Sequence, residues 1–273
     1  MICKKDLELL LQKQLFLFDI DGTLALGNEL LDGAAQLIDY LRKSGRTVFF
    51  TTNNSTKSRE DYVEYFGKHG MKVEKEEVLT AGILTLLFCK ENLQQKKIFL
   101  MGTPSLKKEM EKAGLLITEH YEEDVDCVLA AFDTTLSFQK LEDASRLLGT
   151  KEVMFLASNP DLCCPTGFGA VPDCGSICVM LKNATGREPK YLGKPYPDIV
   201  NECRKLSGIS AKETVLVGDR IYTDMACAEN AGVDGILVLS GEATMENAYA
   251  CGLQIPFVFQ DVRELYQYLS SHR

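Results

Sequence analysis

The sequence predicts an α/β protein: a doubly wound, Rossmann-like parallel-sheet core built from both ends of the chain, with a second α/β unit inserted between them. Three observations carry this. Short apolar runs alternate with helical patterns along all 273 residues. The runs are continuous rather than alternating, as strands covered on both faces require. The middle of the chain repeats the alternation with its own set of elements.

In the outer parts, Leu15–Phe18, Val48–Phe50, Val215–Val217 and Ile236–Leu239 read as strands. Within Gly33–Ser44, the residues Ala34, Leu37, Ile38 and Leu41 recur at helical spacing, and Gly45 is placed to stop the helix. Asp261 can cap a final helix with Val262, Leu265, Tyr266 and Leu269 on its buried face. In the middle, Ile98–Met101, Val128–Ala131 and Val153–Ala157 read as strands and Ser137–Leu148 as a helix. Asn159–Gly175, with three prolines and three glycines, reads as loop-rich. The expected division is a core of residues 1–81 and 186–273, with an insert of residues 82–185.

Bulk properties exclude some classes. A net charge of −9 and a pI of about 5.0 disfavour a nucleic-acid partner. No apolar run is long enough to span a membrane, and Asp6 and Glu8 interrupt any leader-like stretch in Met1–Gln14. A cytoplasmic protein without a membrane partner is expected. The ten cysteines then read as reduced thiols. Cys163, Cys164, Cys174 and Cys178 lack a CxxC spacing and a nearby histidine, so zinc is not expected there.

The chemistry concentrates where apolar strands stop. Leu15–Phe18 runs directly into Asp19-Ile20-Asp21-Gly22-Thr23. Ligands of open α/β sheets bind outside the carboxyl ends of strands, so both acids are aimed at a crevice. Two adjacent carboxylates repel each other unless a cation or shared proton offsets them. An Asp-x-Asp-Gly-Thr string arises by chance in roughly 2 in 1,000 chains of this length. Val48–Phe50 likewise runs into Thr51-Thr52-Asn53-Asn54, and Val215–Val217 into Gly218-Asp219, with Asp224 five residues further on. Lys194 stands between Gly193 and Pro195. Taken singly, Thr52 and Asn53 would be turn residues, Lys194 a solvated lysine, and Asp224 a residue favouring a helix start. Together they supply oxygen ligands suited to Mg²⁺ and donors suited to phosphoryl oxygens. Gly167-Phe168-Gly169 lacks the setting of a dinucleotide fingerprint, and there is no Walker-type loop.

Asp19-Ile20-Asp21-Gly22-Thr23, Thr52-Asn53-Asn54, Gly193-Lys194-Pro195 and Gly218-Asp219-Arg220-Ile221-Tyr222-Thr223-Asp224 occur in the order seen in the haloacid dehalogenase superfamily. Over nearly its whole length the chain resembles the NagD-like subfamily, which includes 4-nitrophenyl phosphatase-like enzymes and carries a large α/β cap. The resemblance implies a phosphatase acting on small phosphorylated metabolites. Asp19 is then the nucleophile that becomes an aspartyl-phosphate, and Asp21 the general acid and base. It implies Mg²⁺ held by Asp19, the backbone carbonyl of Asp21 and Asp219. Thr52, Asn53 and Lys194 would hold the phosphoryl group or substrate, and Asp224 would orient Lys194 or a metal-bound water. It also implies a homodimer formed through the cap. A phosphotransferase or mutase using the same intermediate is the nearest alternative; a phosphate-binding protein without turnover is another. A dehalogenase would not need the second acid at position 21. Within the insert, Asn159–Ser176, with Asp161 and Asp173, is the expected specificity loop.

Overall fold

The computed structural model describes residues 7–272, so the first residues of the stretch read for a leader lie outside it. The chain forms two compact units. One takes in the chain up to Thr52, Tyr62–Leu79 and everything from Lys194; the other takes in Asn53–Asp61 and Thr80–Gly193.

The main sheet of the first unit is six-stranded: β1 (Leu15–Asp19), β2 (Thr47–Thr52), β3 (Val78–Thr80), β4 (Thr214–Gly218), β5 (Asp234–Val238) and β6 (Phe257–Phe259). Their order across the sheet is β3-β2-β1-β4-β5-β6. β1 pairs in parallel with both β2 and β4, and β5 in parallel with β4 and β6. The order reverses between β1 and β4, which is the switch point where such sheets leave a crevice. Every residue of β1 and β4 is buried. Phe16, Phe18, Phe50, Val215, Val217 and Ile236 belong to one core cluster, each contributing roughly 1.5–3 kcal/mol of burial. The helix Ala34–Lys43 adds Ala34, Leu37, Ile38 and Leu41 to that cluster. The closing helix Val262–Ser271 starts where Asp261 accepts from the Glu264 N–H at 2.8 Å. Tyr40 ties the two helices by donating to the Leu269 carbonyl at 2.6 Å.

The second unit is its own parallel sheet, in the order Lys190–Tyr191, Met154–Ala157, Val125–Ala130, Lys97–Met101, Leu116–Thr118. The helix Phe138–Thr150, capped by Ser137, and the helix Cys174–Thr185 contribute Leu147, Ile177 and Leu181 to its core.

This unit is larger than residues 82–185. Its sheet continues past 185 because Lys190 and Tyr191 pair with Leu156 and Ala157. Residues after Thr52 join it because the Asn159 amide donates to the Asn53 carbonyl at 2.9 Å and the Phe132 N–H to Ser55 Oγ at 3.0 Å. The loop-rich stretch also contains an antiparallel hairpin, Cys163–Thr166 with Gly169–Pro172. Among the described residues, no helix is long and apolar enough to cross a membrane.

Candidate active site

β1 delivers Asp19, buried, and the chain then turns so tightly that the Gly22 N–H donates to the Ala25 carbonyl at 2.7 Å. Gly22 has φ +87°, and a Cβ there would overlap the Asp219 carboxylate, so both backbone conformation and space demand glycine. Asp21, one residue earlier, is exposed. β4 ends on Gly218, where a Cβ would collide with Asp224, and is followed by Asp219. Asp224 sits in a single wide turn of π type, Ile221–Met225, a distortion that concentrates at functional sites. Its Oδ2 accepts from the Arg220 N–H at 3.2 Å.

These turns bring Asp19, Asp219 and Asp224 together, with one oxygen of each within 4.8 Å of the others. They form the one such acid, histidine and cysteine group found among the described residues. Lys194 is 2% exposed, and its Nζ lies 2.6 Å from Asp19 Oδ1 and 2.6 Å from Asp224 Oδ1. The Asp21 carboxylate is outside this cluster.

Three buried carboxylates against one buried ammonium give the cluster an excess of negative charge when they ionise, eased at Asp219 by the Arg220 guanidinium. Burial, opposed by Lys194 but reinforced by Asp224 and Asp219, raises the Asp19 carboxyl well above the usual carboxylate range. Burial, reinforced by Asp224, pushes Asp219 up to about 6. Burial on its own would lower the Lys194 pKa, but the attraction of Asp19 and Asp224 outweighs it and raises it. Asp219 is also poised for a ligand. Its Oδ2 accepts the Glu242 N–H at 2.8 Å, whereas Oδ1 is buried with no hydrogen-bond partner among the described residues. A divalent cation fits this site: it would satisfy the orphaned oxygen, offset the excess negative charge and find the oxygen donors a hard ion selects.

Thr52, the last residue of β2, is buried. Asn53 belongs to the second unit, where its amide nitrogen donates to the Asp161 carboxylate at 3.1 and 3.2 Å. Asp173 caps the helix Cys174–Thr185, accepting from the Cys174 N–H. The residues that sequence reading passed over are Ser240, Gly241 and Glu242, just beyond β5. Ser240 donates to the Gly22 carbonyl at 2.7 Å, and a Cβ on Gly241 would overlap the Asp219 carboxylate. Their one signal in the sequence is position, since they follow a fourth buried strand of the same sheet. Nine described cysteines carry free thiols, with Cys174 and Cys178 buried on one helix and Cys163 exposed.

Comparison with known proteins agrees with this geometry. A haloacid dehalogenase-like hydrolase family model matches residues 16–116, and a HAD-hydrolase-like model matches residues 191–265. An acid sugar phosphatase of Staphylococcus aureus is 32% identical over 93% of the chain and 96% of its own length. The crystal structure of a 4-nitrophenylphosphatase from Thermotoga maritima superposes with a TM-score of 0.91 at 37% identity, covering 96% of this chain and 99% of that one. A glycerol phosphate phosphatase from Mycobacterium tuberculosis, crystallised with magnesium, superposes with a TM-score of 0.87 at 26% identity, covering 95% and 78%. With its acids gathered at the switch point and this similarity along nearly its whole length, the chain belongs to the haloacid dehalogenase-like hydrolases, in their NagD-like branch of phosphatases.

Proposed function

We propose that this phosphatase hydrolyses small phosphate monoesters through a covalent phosphoryl group on Asp19, with Mg²⁺ as its cofactor. The observation that carries this reading is the buried cluster of Asp19, Asp219, Asp224 and Lys194, in which Asp219 Oδ1 has no hydrogen-bond partner among the described residues. An Asp19 oxygen attacks phosphorus and the P–O bond to the leaving group breaks. Asp21, exposed and apart from the cluster, gives its proton to the departing oxygen. Asp21 then takes a proton from water, which attacks phosphorus and releases inorganic phosphate, and the Asp19 carboxylate is regenerated. Lys194 and Thr52 hold phosphoryl oxygens, Asn53 lies beside the substrate, and Asp224 fixes Lys194. Asp19, the Asp21 carbonyl and Asp219 would hold Mg²⁺. Bound there, the cation supplies charge neutralisation to the transferring phosphoryl group and keeps Asp19 ionised.

Sugar phosphates lead the candidate substrates, supported by the acid sugar phosphatase among the relatives. A reducing, cytoplasmic setting is supported by the free thiols. A homodimer through the second unit is supported by Leu162 and Phe168, which are large, apolar and exposed on and beside its hairpin. The test of the chemical reading is trapping. Rapid acid quench during turnover, followed by borohydride reduction and peptide mass spectrometry, should place homoserine at position 19 in the wild type. None should appear in Asp19→Asn. A reduced residue elsewhere would assign the nucleophile to another side chain.

A further inference from the structure

We infer that the loop from Ser240 to Ala243, beyond β5, is a positioning element that sets the affinity of the site for its divalent cation, with Ser240 as the residue whose side chain does so. This rests on the Mg²⁺ reading above. β5 is the neighbour of β4, so the loop emerges at the same end of the sheet as Asp219. It grips both turns of the switch point. The Ser240 hydroxyl donates to the Gly22 carbonyl at 2.7 Å, which fixes the turn that carries Asp21. The Glu242 N–H donates to Asp219 Oδ2 at 2.8 Å, and the Ala243 N–H donates to the Asp219 backbone carbonyl at 3.1 Å.

The consequence is a division of labour between the two oxygens of one carboxylate. Oδ2 is committed to the loop, whereas Oδ1 is buried and without a hydrogen-bond partner among the described residues. Gly22 and Gly241 line the carboxylate with bare backbone, and a Cβ on either would overlap it. Asp219 is therefore held in one orientation with a single oxygen left for the ion. Groups that orient a metal ligand typically carry about 10- to 100-fold of metal affinity although they never touch the ion.

Calorimetric titration of the metal-free full chain with Mg²⁺, without substrate, tests this directly. Ser240→Ala should weaken Mg²⁺ binding about 10-fold, and Gly241→Ala about 100-fold or more. Ser240→Thr, which keeps the hydroxyl, should bind close to wild type. The Mg²⁺ concentration for half-maximal activity should move in parallel, while KM for the phosphate ester at saturating Mg²⁺ stays within about twofold for Ser240→Ala. If Gly241→Ala does not fold, Ser240→Ala decides. Wild-type Mg²⁺ affinity in Ser240→Ala, even with a lower Tm in chelator, would leave the loop a purely structural element and overturn the inference. A wild-type protein that binds no Mg²⁺ would overturn the metal reading and this inference with it.

Discussion

Asp21 stands apart from the other acids of the site, exposed while Asp19, Asp219 and Asp224 are buried together around Lys194. An exposed acid can serve the leaving group without breaking an ion pair, whereas Asp19 and Asp224 are already engaged by Lys194. Asp21→Asn should therefore slow turnover by about 10²- to 10⁴-fold on alkyl phosphates. It should do markedly less to 4-nitrophenyl phosphate, whose leaving group needs no proton. Rates across a series of leaving groups check this, and equal losses across the series would remove Asp21 from the acid role. At this scale the sequence was most informative. Asp19 ends one apolar strand and Asp219 directly follows another, and they meet because parallel strands end together, while Lys194 stands before Pro195 and Asp224 in the turn just after β4. Ser240 and Glu242 were illegible for a physical reason. Glu242 acts through a backbone N–H that any residue but proline would offer, and Ser240 through one hydroxyl in an ordinary-looking turn.

At the scale of elements, the buried strands of both sheets were readable because residues covered on two faces must be apolar. Short edge strands were not. Leu116–Thr118 and Phe257–Phe259 are three residues each, too brief for a pattern. Cys163–Thr166 contains a proline in an antiparallel hairpin and carries no alternation. The loop from Asn159 to Ser176 divides accordingly. Asp173→Ala removes a helix cap and should cost about 1 kcal/mol of stability, read as a lower denaturant midpoint with relative substrate preference unchanged. Asp161→Ala removes the carboxylate that the Asn53 amide donates to, and should change kcat/KM unequally across a panel of phosphate esters. An unaltered ranking with Asp161→Ala would remove this loop from substrate selection.

For the whole molecule, the excess negative charge of the site couples stability to pH and metal. Asp219 is pushed from the ordinary 3.8 up to about 6, and Asp19 is raised with it. A raised folded-state pKa contributes stability that is full below the ordinary value and lost as pH rises through the folded one. For Asp219 alone this is on the order of 3 kcal/mol, absent once the pH is well above 6. Asp126, lowered first by its hydrogen bond to Lys96, titrates below that window. Mg²⁺ should restore what ionisation removes, so the rise in Tm on adding Mg²⁺ to chelated protein should be several degrees larger at pH 7.5 than at pH 5. An equal rise at both pH values would separate the metal from these carboxylates. The central claim, two successive displacements at phosphorus through Asp19, is tested most directly by stereochemistry. Hydrolysis of an isotopically chiral thiophosphate ester in labelled water should proceed with net retention, because each displacement inverts phosphorus once. Net inversion would mean that water attacks the substrate in a single step, and would contradict the account.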